Sequence, residues 1–176
     1  MPSATYLLAA WLLADFLSGV FHWWEDRYGD PSWPILGKYI VQPNIVHHTD
    51  QTAFLAGDYW KRNWTAIAPA AILAILSYAA GQHFVALAFA FLTQSNEVHS
   101  WAHQKCNRFV RGLQLIGLLH SPEQHAEHHR RPFDVRFCVM TDWLNPVLEV
   151  TSFWALAEDV VLFVSGVPPR REREEA

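Results

Sequence analysis

Three long apolar stretches organise the chain. The first runs from about Tyr6 to Trp24 and is interrupted only by Asp15, the second runs from Trp64 to Ala80 without a charge, and the third runs from His83 to roughly Val98. Each approaches the ~20 residues that a helix needs to cross a bilayer. Because no basic residue precedes the first stretch, we interpret it as a retained span rather than a signal peptide.

Two shorter apolar segments leave the number of spans open. Phe109–Leu119 is too short to cross a bilayer and is expected to lie in the interface. Phe153–Val167 is also short and carries Glu158 and Asp159, which fits either a tilted fourth span or an interfacial helix. No alternation of polar and apolar residues is long enough to predict a sheet. The pattern therefore predicts an all-α integral membrane protein with about four transmembrane or interfacial helices.

Length and composition favour one membrane domain. The 176 residues suffice for one core, expected over about 6–167, followed by a charged tail at 168–176 with three Arg and three Glu. Charged residues make up only 17 %, and the net charge of −4 gives no basic excess. These values exclude a disordered chain and a nucleic-acid binder. The two cysteines cannot build a disulfide framework or a cysteine-rich zinc site.

The basic residues predict the orientation. Residues 1–26 and the turn at 81–82 contain no Lys or Arg, whereas segments 25–63 and 100–136 hold four and six. By the positive-inside rule, both long segments are expected to be cytoplasmic. The arginines of the second segment are expected either to mark this topology or to meet an acidic partner or lipid phosphate; they are Arg108, Arg111, Arg130, Arg131 and Arg136.

Nine of the ten histidines fall on the predicted cytoplasmic side, and only His83 falls on the other. Residues four apart share a helix face, so His99 and His103 can approach one metal ion, as can His22 with Asp26. The i, i+3, i+4 spacing of His125, His128 and His129 places three imidazoles on one stripe of a helix. His47 and His48 are adjacent and would diverge by about 100° on a helix, so we expect each to approach a different ion. A single such pair is weak evidence, but four clusters on one membrane face would be costly to bury without a metal. The candidate ligands are His22, Asp26, His47, His48, His99, His103, His125, His128 and His129. Eight imidazoles and one carboxylate suit two ions of iron, zinc or copper.

Six motifs, in order along roughly residues 16–154, resemble those of the plasmanylethanolamine desaturases, also called the CarF or Kua family. They are HWWED at 22–26, PILGK at 34–38, HHTDQTA at 47–53, NEVHSWAH at 96–103, HAEHH at 125–129 and FCVMTDWLNP at 137–146. The resemblance implies a lipid desaturase domain with a cytoplasmic, histidine-bound centre of two iron ions. It implies removal of two hydrogens next to the ether oxygen of an ether phospholipid, which gives the vinyl ether of a plasmalogen.

The resemblance also implies roles for individual residues. It carries the ligand role to the eight histidines and Asp26, and it makes Asp50, Asp58 and His120 candidates to hydrogen-bond a ligand. The family carries a further histidine shortly after the final pair, where this chain has Phe133. This departure leaves the substrate open, and an ordinary acyl lipid is an alternative.

The chemistry needs dioxygen and two external electrons. The sequence has no nicotinamide or flavin fingerprint, so a ferredoxin or a b-type cytochrome is the expected donor. Three alternatives remain: a hydroxylase with the same centre, a zinc-dependent hydrolase with Glu97 or Glu127 as general base, and a metal chaperone or transporter. The last predicts polar residues through the spans, and Ala66–Leu76 has none.

Overall fold

The computed structural model describes residues 2–170, and every regular element within them is helical. The helices are α1 (Ala4–Arg27), α2 (Gln42–Thr49), α3 (Tyr59–Ala79), α4 (His83–Leu92), α5 (Ser95–Ala102), α6 (Arg108–Leu115), α7 (Pro122–His128), α8 (Leu144–Val150) and α9 (Phe153–Ser165). A π-helical turn at Gly37–Val41 and a 3₁₀ turn at Ala53–Leu55 flank α2. The all-α prediction is confirmed for these residues, and most of the predicted charged tail, 171–176, lies outside them.

Helix α1 begins and ends with defined caps. The Ser3 side chain accepts a hydrogen bond from the Tyr6 amide at its N-terminus. At the other end, the Arg170 guanidinium donates to the backbone oxygens of Glu25 and Asp26, so the first charged residue of the predicted tail caps α1. Of the helices in residues 2–170, α1 is the one long and apolar enough to cross a bilayer by length and composition.

The prediction of one continuous third helix over His83–Val98 is wrong. Helix α4 ends at Leu92, and α5 begins at Ser95. The break coincides with polar residues whose side chains form hydrogen bonds to the backbone. The Thr93 hydroxyl donates to the Ala90 oxygen in the last turn of α4, and the Asn96 side-chain amide donates to the Arg62 oxygen on α3. As a result, the polar half of the stretch becomes a separate helix that carries two of the candidate ligands. Neither α4, with 10 residues, nor α9, with 13, reaches the length of a span.

Helices α1, α3 and α4 pack together, with α4 against both of the others. Their shared core contains Ala14, Ala70, Leu92 and Met140. Small residues on α1 and α3 allow close helix packing. The outer face of α3 exposes apolar side chains that suit contact with lipid: Ile72, Ile75, Leu76 and Tyr78.

A non-helical segment, residues 134–143, packs against α1 with residues 137–141 buried, and Asp15 holds it there. One Asp15 carboxylate oxygen accepts from the Met140 and Thr141 amides at 2.9 and 3.1 Å, and the other accepts from the Thr141 hydroxyl at 2.5 Å. The Ser18 hydroxyl accepts from the Val139 amide at 3.2 Å. The one charge in the first apolar stretch therefore satisfies backbone that has no helix of its own.

At Gly19 the buried segment approaches the α1 backbone closely. A β-carbon at this position would lie 2.5 Å from the Cys138 sulfur. Asn145 then holds Cys138 from the other side, by accepting from its amide and donating to its carbonyl. This packing sets the course of the chain just after the last histidines.

We expect Asp15→Ala to destabilise the protein by at least about 3 kcal/mol, because it leaves three buried donors without an acceptor. The midpoint of thermal unfolding in detergent should fall by about 6 to 12 °C. Asp159→Ala removes an exposed carboxylate and is the matched control. Equal melting temperatures for the two variants would contradict the role given to Asp15.

Candidate metal centre

Four helices bring the nine predicted ligands together beside the C-terminal end of α1. Helix α1 contributes His22 and Asp26, which lie one turn apart, and α2 contributes the adjacent His47 and His48. Helices α5 and α7 each place ligands in their last turn and at the residue that caps it. These are His99 and His103 on α5, and His125, His128 and His129 on α7.

Five of these side chains form one group, the five-histidine group. The Nε2 atoms of His99 and His125 lie 2.8 Å apart, and those of His125 and His129 lie 2.9 Å apart. His47 Nε2 is 3.1 Å from the Nε2 atoms of His99, His103 and His129. All five rings thus present the same nitrogen to one small volume.

The remaining four side chains form a second group, the three-histidine–aspartate group, and all four are buried. The Asp26 Oδ2 atom lies 3.6 Å from His22 Nε2 and 3.5 Å from His128 Nε2. The Asp26 Oδ1 atom lies 3.0 Å from His48 Nε2. The two groups are neighbours, since the ring centres of His22 and His99 are 5.5 Å apart.

Adjacent histidines separate into different groups. His47 and His48 do so as the sequence predicted, because consecutive helical residues point about 100° apart. The three histidines of the predicted stripe, His125, His128 and His129, also divide between the groups. His129 joins the five-histidine group with His125, whereas His128 turns towards Asp26 in the other group. The same angular step explains both separations.

Both groups fit a metal ion. Ligands 90° apart around an ion with metal–nitrogen bonds near 2.1 Å lie about 3 Å from one another, as the imidazole nitrogens of the five-histidine group do. In the second group, His22 Nε2, His128 Nε2 and Asp26 Oδ2 are buried with no hydrogen-bond partner in the described residues. Buried polar atoms are rarely left without a partner, and a bound cation would supply one.

The imidazoles of the five-histidine group are neutral near pH 7. Burial lowers the pKa of His47, and the neighbouring His103 lowers it further. Burial also lowers the pKa of His103 to about 4 and that of His129 to about 3. A neutral ring keeps the lone pair that a metal requires.

Two contacts that the sequence analysis missed orient the second group. The His128 Nδ1 atom lies 2.8 Å from the Val135 backbone oxygen, which directs Nε2 towards Asp26. The Asn44 side-chain amide donates to Asp26 Oδ1 at 2.5 Å. Asn44 lies one turn before His48 on α2, so helical spacing places both on the face of α2 that is directed at Asp26. This spacing could have identified Asn44, although its side chain is not a typical metal ligand.

The three residues proposed to support the ligands have different positions. His120 is completely buried, its Nδ1 atom lies 3.0 Å from Asp142, and its ring lies 5.2 Å from that of His125. Asp50 instead accepts from the Thr52 amide and hydroxyl in an exposed turn. Asp58 accepts from the Lys61 amide as the N-cap of α3. Within residues 2–170, none of the three forms a hydrogen bond to a candidate ligand: Asp50 stabilises a turn, Asp58 caps α3, and His120 pairs with Asp142.

Comparison with known proteins identifies the family. The family model described as lipid desaturase domain matches residues 11–172. The chain belongs to the lipid desaturase domain family. This match includes all nine candidate ligands.

Curated relatives agree with this assignment. The chain is 30 % identical to the plasmanylethanolamine desaturase of Myxococcus xanthus and 32 % identical to plasmanylethanolamine desaturase 1 of Mus musculus, over 94 % of its own length in each case. It is 34 % identical to the chloroplastic fatty acid desaturase 4 of Arabidopsis thaliana, over 92 % of its length. The chain spans 63 %, 67 % and 52 % of these three relatives. No solved structure matches it.

Because the two groups share no side chain, each should lose its ion separately. We expect His47→Ala and His128→Ala each to reduce the metal content from about two ions per chain to about one. Mass spectrometry of the purified protein for metals gives the stoichiometry. His83→Ala alters an exposed histidine outside both groups and should keep both ions. Unchanged metal content in all three variants would contradict the assignment.

Proposed function

We propose that the protein is a membrane di-iron lipid desaturase whose ligands are the nine side chains of the two groups. The principal observation is that two metal-binding groups lie side by side within a chain of the lipid desaturase domain family. Among substrates, we propose the alkyl chain of an ether phospholipid, which becomes the vinyl ether of a plasmalogen. The two relatives named plasmanylethanolamine desaturase support this choice.

The proposed reaction removes one hydrogen from each of two adjacent carbons. Dioxygen takes up these two hydrogens with two protons and two electrons from a donor, and the products are the alkene and two molecules of water. An iron pair would supply the dioxygen activation needed to attack a C–H bond that has no acidic proton. A general base alone cannot remove such a hydrogen.

The residues around the groups hold the ligands and keep water away. The Phe54 ring centre lies 4.9 Å from that of His47 and 4.7 Å from that of His99. Phe133 packs edge-on against His48 at 4.6 Å, and Phe137 packs against His128 at 5.5 Å. These apolar rings exclude solvent and protect a reactive centre from side reactions.

We propose that electrons enter where the five-histidine group reaches the surface. His103 and His129 are the two members of this group that are only partly buried. The exposed cations Lys105 and Arg130 follow them closely in the chain. By contrast, Arg111 is paired with Glu123, and Arg136 lies 2.6 Å from Glu127. Within residues 2–170, Lys105 and Arg130 form no ion pair, and they fit the acidic surface of a ferredoxin or a b-type cytochrome.

The same contacts argue against the zinc hydrolase. The Glu97 carboxylate accepts from Arg62, Asn63 and Trp101. Glu127 is bound to Arg136. Both proposed general bases are therefore committed to other side chains. The hydroxylase remains the second candidate, because it uses the same ligands and differs only in the product.

We further propose that the protein is embedded with its metal centre on the cytoplasmic side. The apolar helix α1 and the lipid-facing surface of α3 support insertion. All nine ligands lie in or beside the two basic segments, which the positive-inside rule assigns to the cytoplasm.

The test of the proposed function is turnover by purified, iron-loaded protein with reduced ferredoxin. We expect an alkyl ether phospholipid to lose 2 Da in the presence of dioxygen and to remain unchanged without it. A gain of 16 Da would identify the hydroxylase. Release of a headgroup or chain under anaerobic conditions would overturn the oxidase. His83→Ala should retain activity, and His128→Ala should lose it.

A second prediction concerns the donor. The double variant Lys105→Glu, Arg130→Glu should raise the KM for reduced ferredoxin at low salt by about tenfold or more, with its metal content unchanged. Because Arg111 is already paired, Arg111→Gln should change this KM far less. Steady-state kinetics at two ionic strengths provide the measurement. An unchanged KM in the double variant would place electron entry elsewhere.

A further inference from the structure

A large cavity connects the metal groups with the interior of the helix bundle. Its volume is about 1110 Å³, and its wall is formed by α1, the π-helical turn, α2, α3 and the junction of α4 with α5. His22 from one group and His47 and His99 from the other line it. A molecule inside this cavity would therefore lie against both groups.

The inner end of the cavity is apolar. Ala70 and Leu73 of α3 line it together with Leu92 of α4. Ala70 and Leu92 also belong to the hydrophobic core shared by α1, α3 and α4. Lys61 and Leu73 both line the wall and lie twelve residues apart on α3, or about 18 Å at 1.5 Å per residue. A deep, apolar cavity of this length fits a hydrocarbon chain.

The opposite end of the cavity is basic. Lys38 of the π-helical turn and Lys61 and Arg62 of α3 line it, and Glu25 is the carboxylate of α1 that faces it. Arg62 is already paired with Glu97 at 2.8 Å. Across residues 2–170, no carboxylate lies within ion-pair distance of Lys38 or Lys61. Two exposed ammonium groups thus remain available at the mouth.

An aromatic contact joins the two elements that carry these lysines. Tyr39 packs edge-on against Trp64, with their ring centres 5.6 Å apart, and so joins the π-helical turn to α3. The Lys38 ammonium lies 5.0 Å from the centre of the Tyr39 ring. Lys61 lies one turn before Trp64 on α3. The two lysines therefore come from different elements that meet at the basic end of the cavity.

We propose that Lys38 and Lys61 bind the phosphate of the lipid substrate while its chain extends along α3 towards Leu73. This inference rests on the proposed function, because it assigns the cavity to the substrate of the same metal centre. Two ammonium groups can neutralise a phosphate, and the apolar interior can accept the chain. In this orientation, the carbons nearest the headgroup pass His22 and His99, and the chain end is remote from them.

Direct binding tests this proposal without turnover. The probe is an alkyl glycerophosphate with a brominated chain, and its neutral counterpart is the brominated alkylglycerol without phosphate. Bromine quenches tryptophan fluorescence on contact, and Trp24 and Trp64 line the cavity. We expect wild-type protein in detergent to bind the phosphate-bearing probe at least about tenfold more tightly than the neutral one. The double variant Lys38→Gln, Lys61→Gln should lose this preference and still bind the neutral probe.

Controls separate charge, position and ligand source. Lys38→Arg, Lys61→Arg should keep the preference, and Lys105→Gln, which lies outside the cavity, should not affect it. Inorganic phosphate should displace the probe only at much higher concentration, because it lacks the chain. Equal affinities for the two probes in wild type, or an unchanged preference in the double glutamine variant, would overturn the proposal. Since neither result depends on catalysis, failure here is distinct from failure of the desaturase assay.

Discussion

Neighbouring imidazole nitrogens of the five-histidine group lie 2.8 to 3.3 Å apart in a largely buried volume. Neutral rings at this spacing direct lone pairs at one another, and protonated rings would add repulsion to the cost of burial. A shared cation converts this conflict into attraction. The positions of α2, α5 and α7 follow from it, because each must present its histidines to a common point. These three helices are short, with eight residues in α2, eight in α5 and seven in α7.

The surroundings of the centre divide into three functional sides. Phenylalanine rings close one side, partly exposed histidines next to free cations form a second, and the deep cavity forms the third. The proposed desaturase reaction would use this division, because its electrons would arrive from water and its substrate chain from lipid. Residues that look catalytic in the sequence, such as Glu97 and Glu127, instead form ion pairs with Arg62 and Arg136. Several of the few charged residues of this chain therefore lie in ion pairs near the two groups.

Periodic patterns predicted the parts of the fold that depend on local spacing. The long helices α1 and α3 and the separation of His47 from His48 follow from apolar runs and from the 100° helical step. Contacts between distant segments were not predictable in this way. The break before Ser95 depends on Asn96 reaching the Arg62 oxygen, and the role of Asn44 depends on where α1 places Asp26. Asp50 and Asp58 were misread because a capping carboxylate and one that supports a ligand look alike in sequence.

Asp15 also has a consequence for the order of events during synthesis. Its partners Met140 and Thr141 are 125 and 126 residues downstream, so most of the chain is made before they exist. If α1 enters the membrane as proposed, it does so with a carboxyl group that has no permanent partner. Its final position is then set only when segment 134–143 docks, which also brings in the last histidines. Completion of the helix bundle and assembly of the metal centre are therefore one late step, and a truncated chain would contain neither.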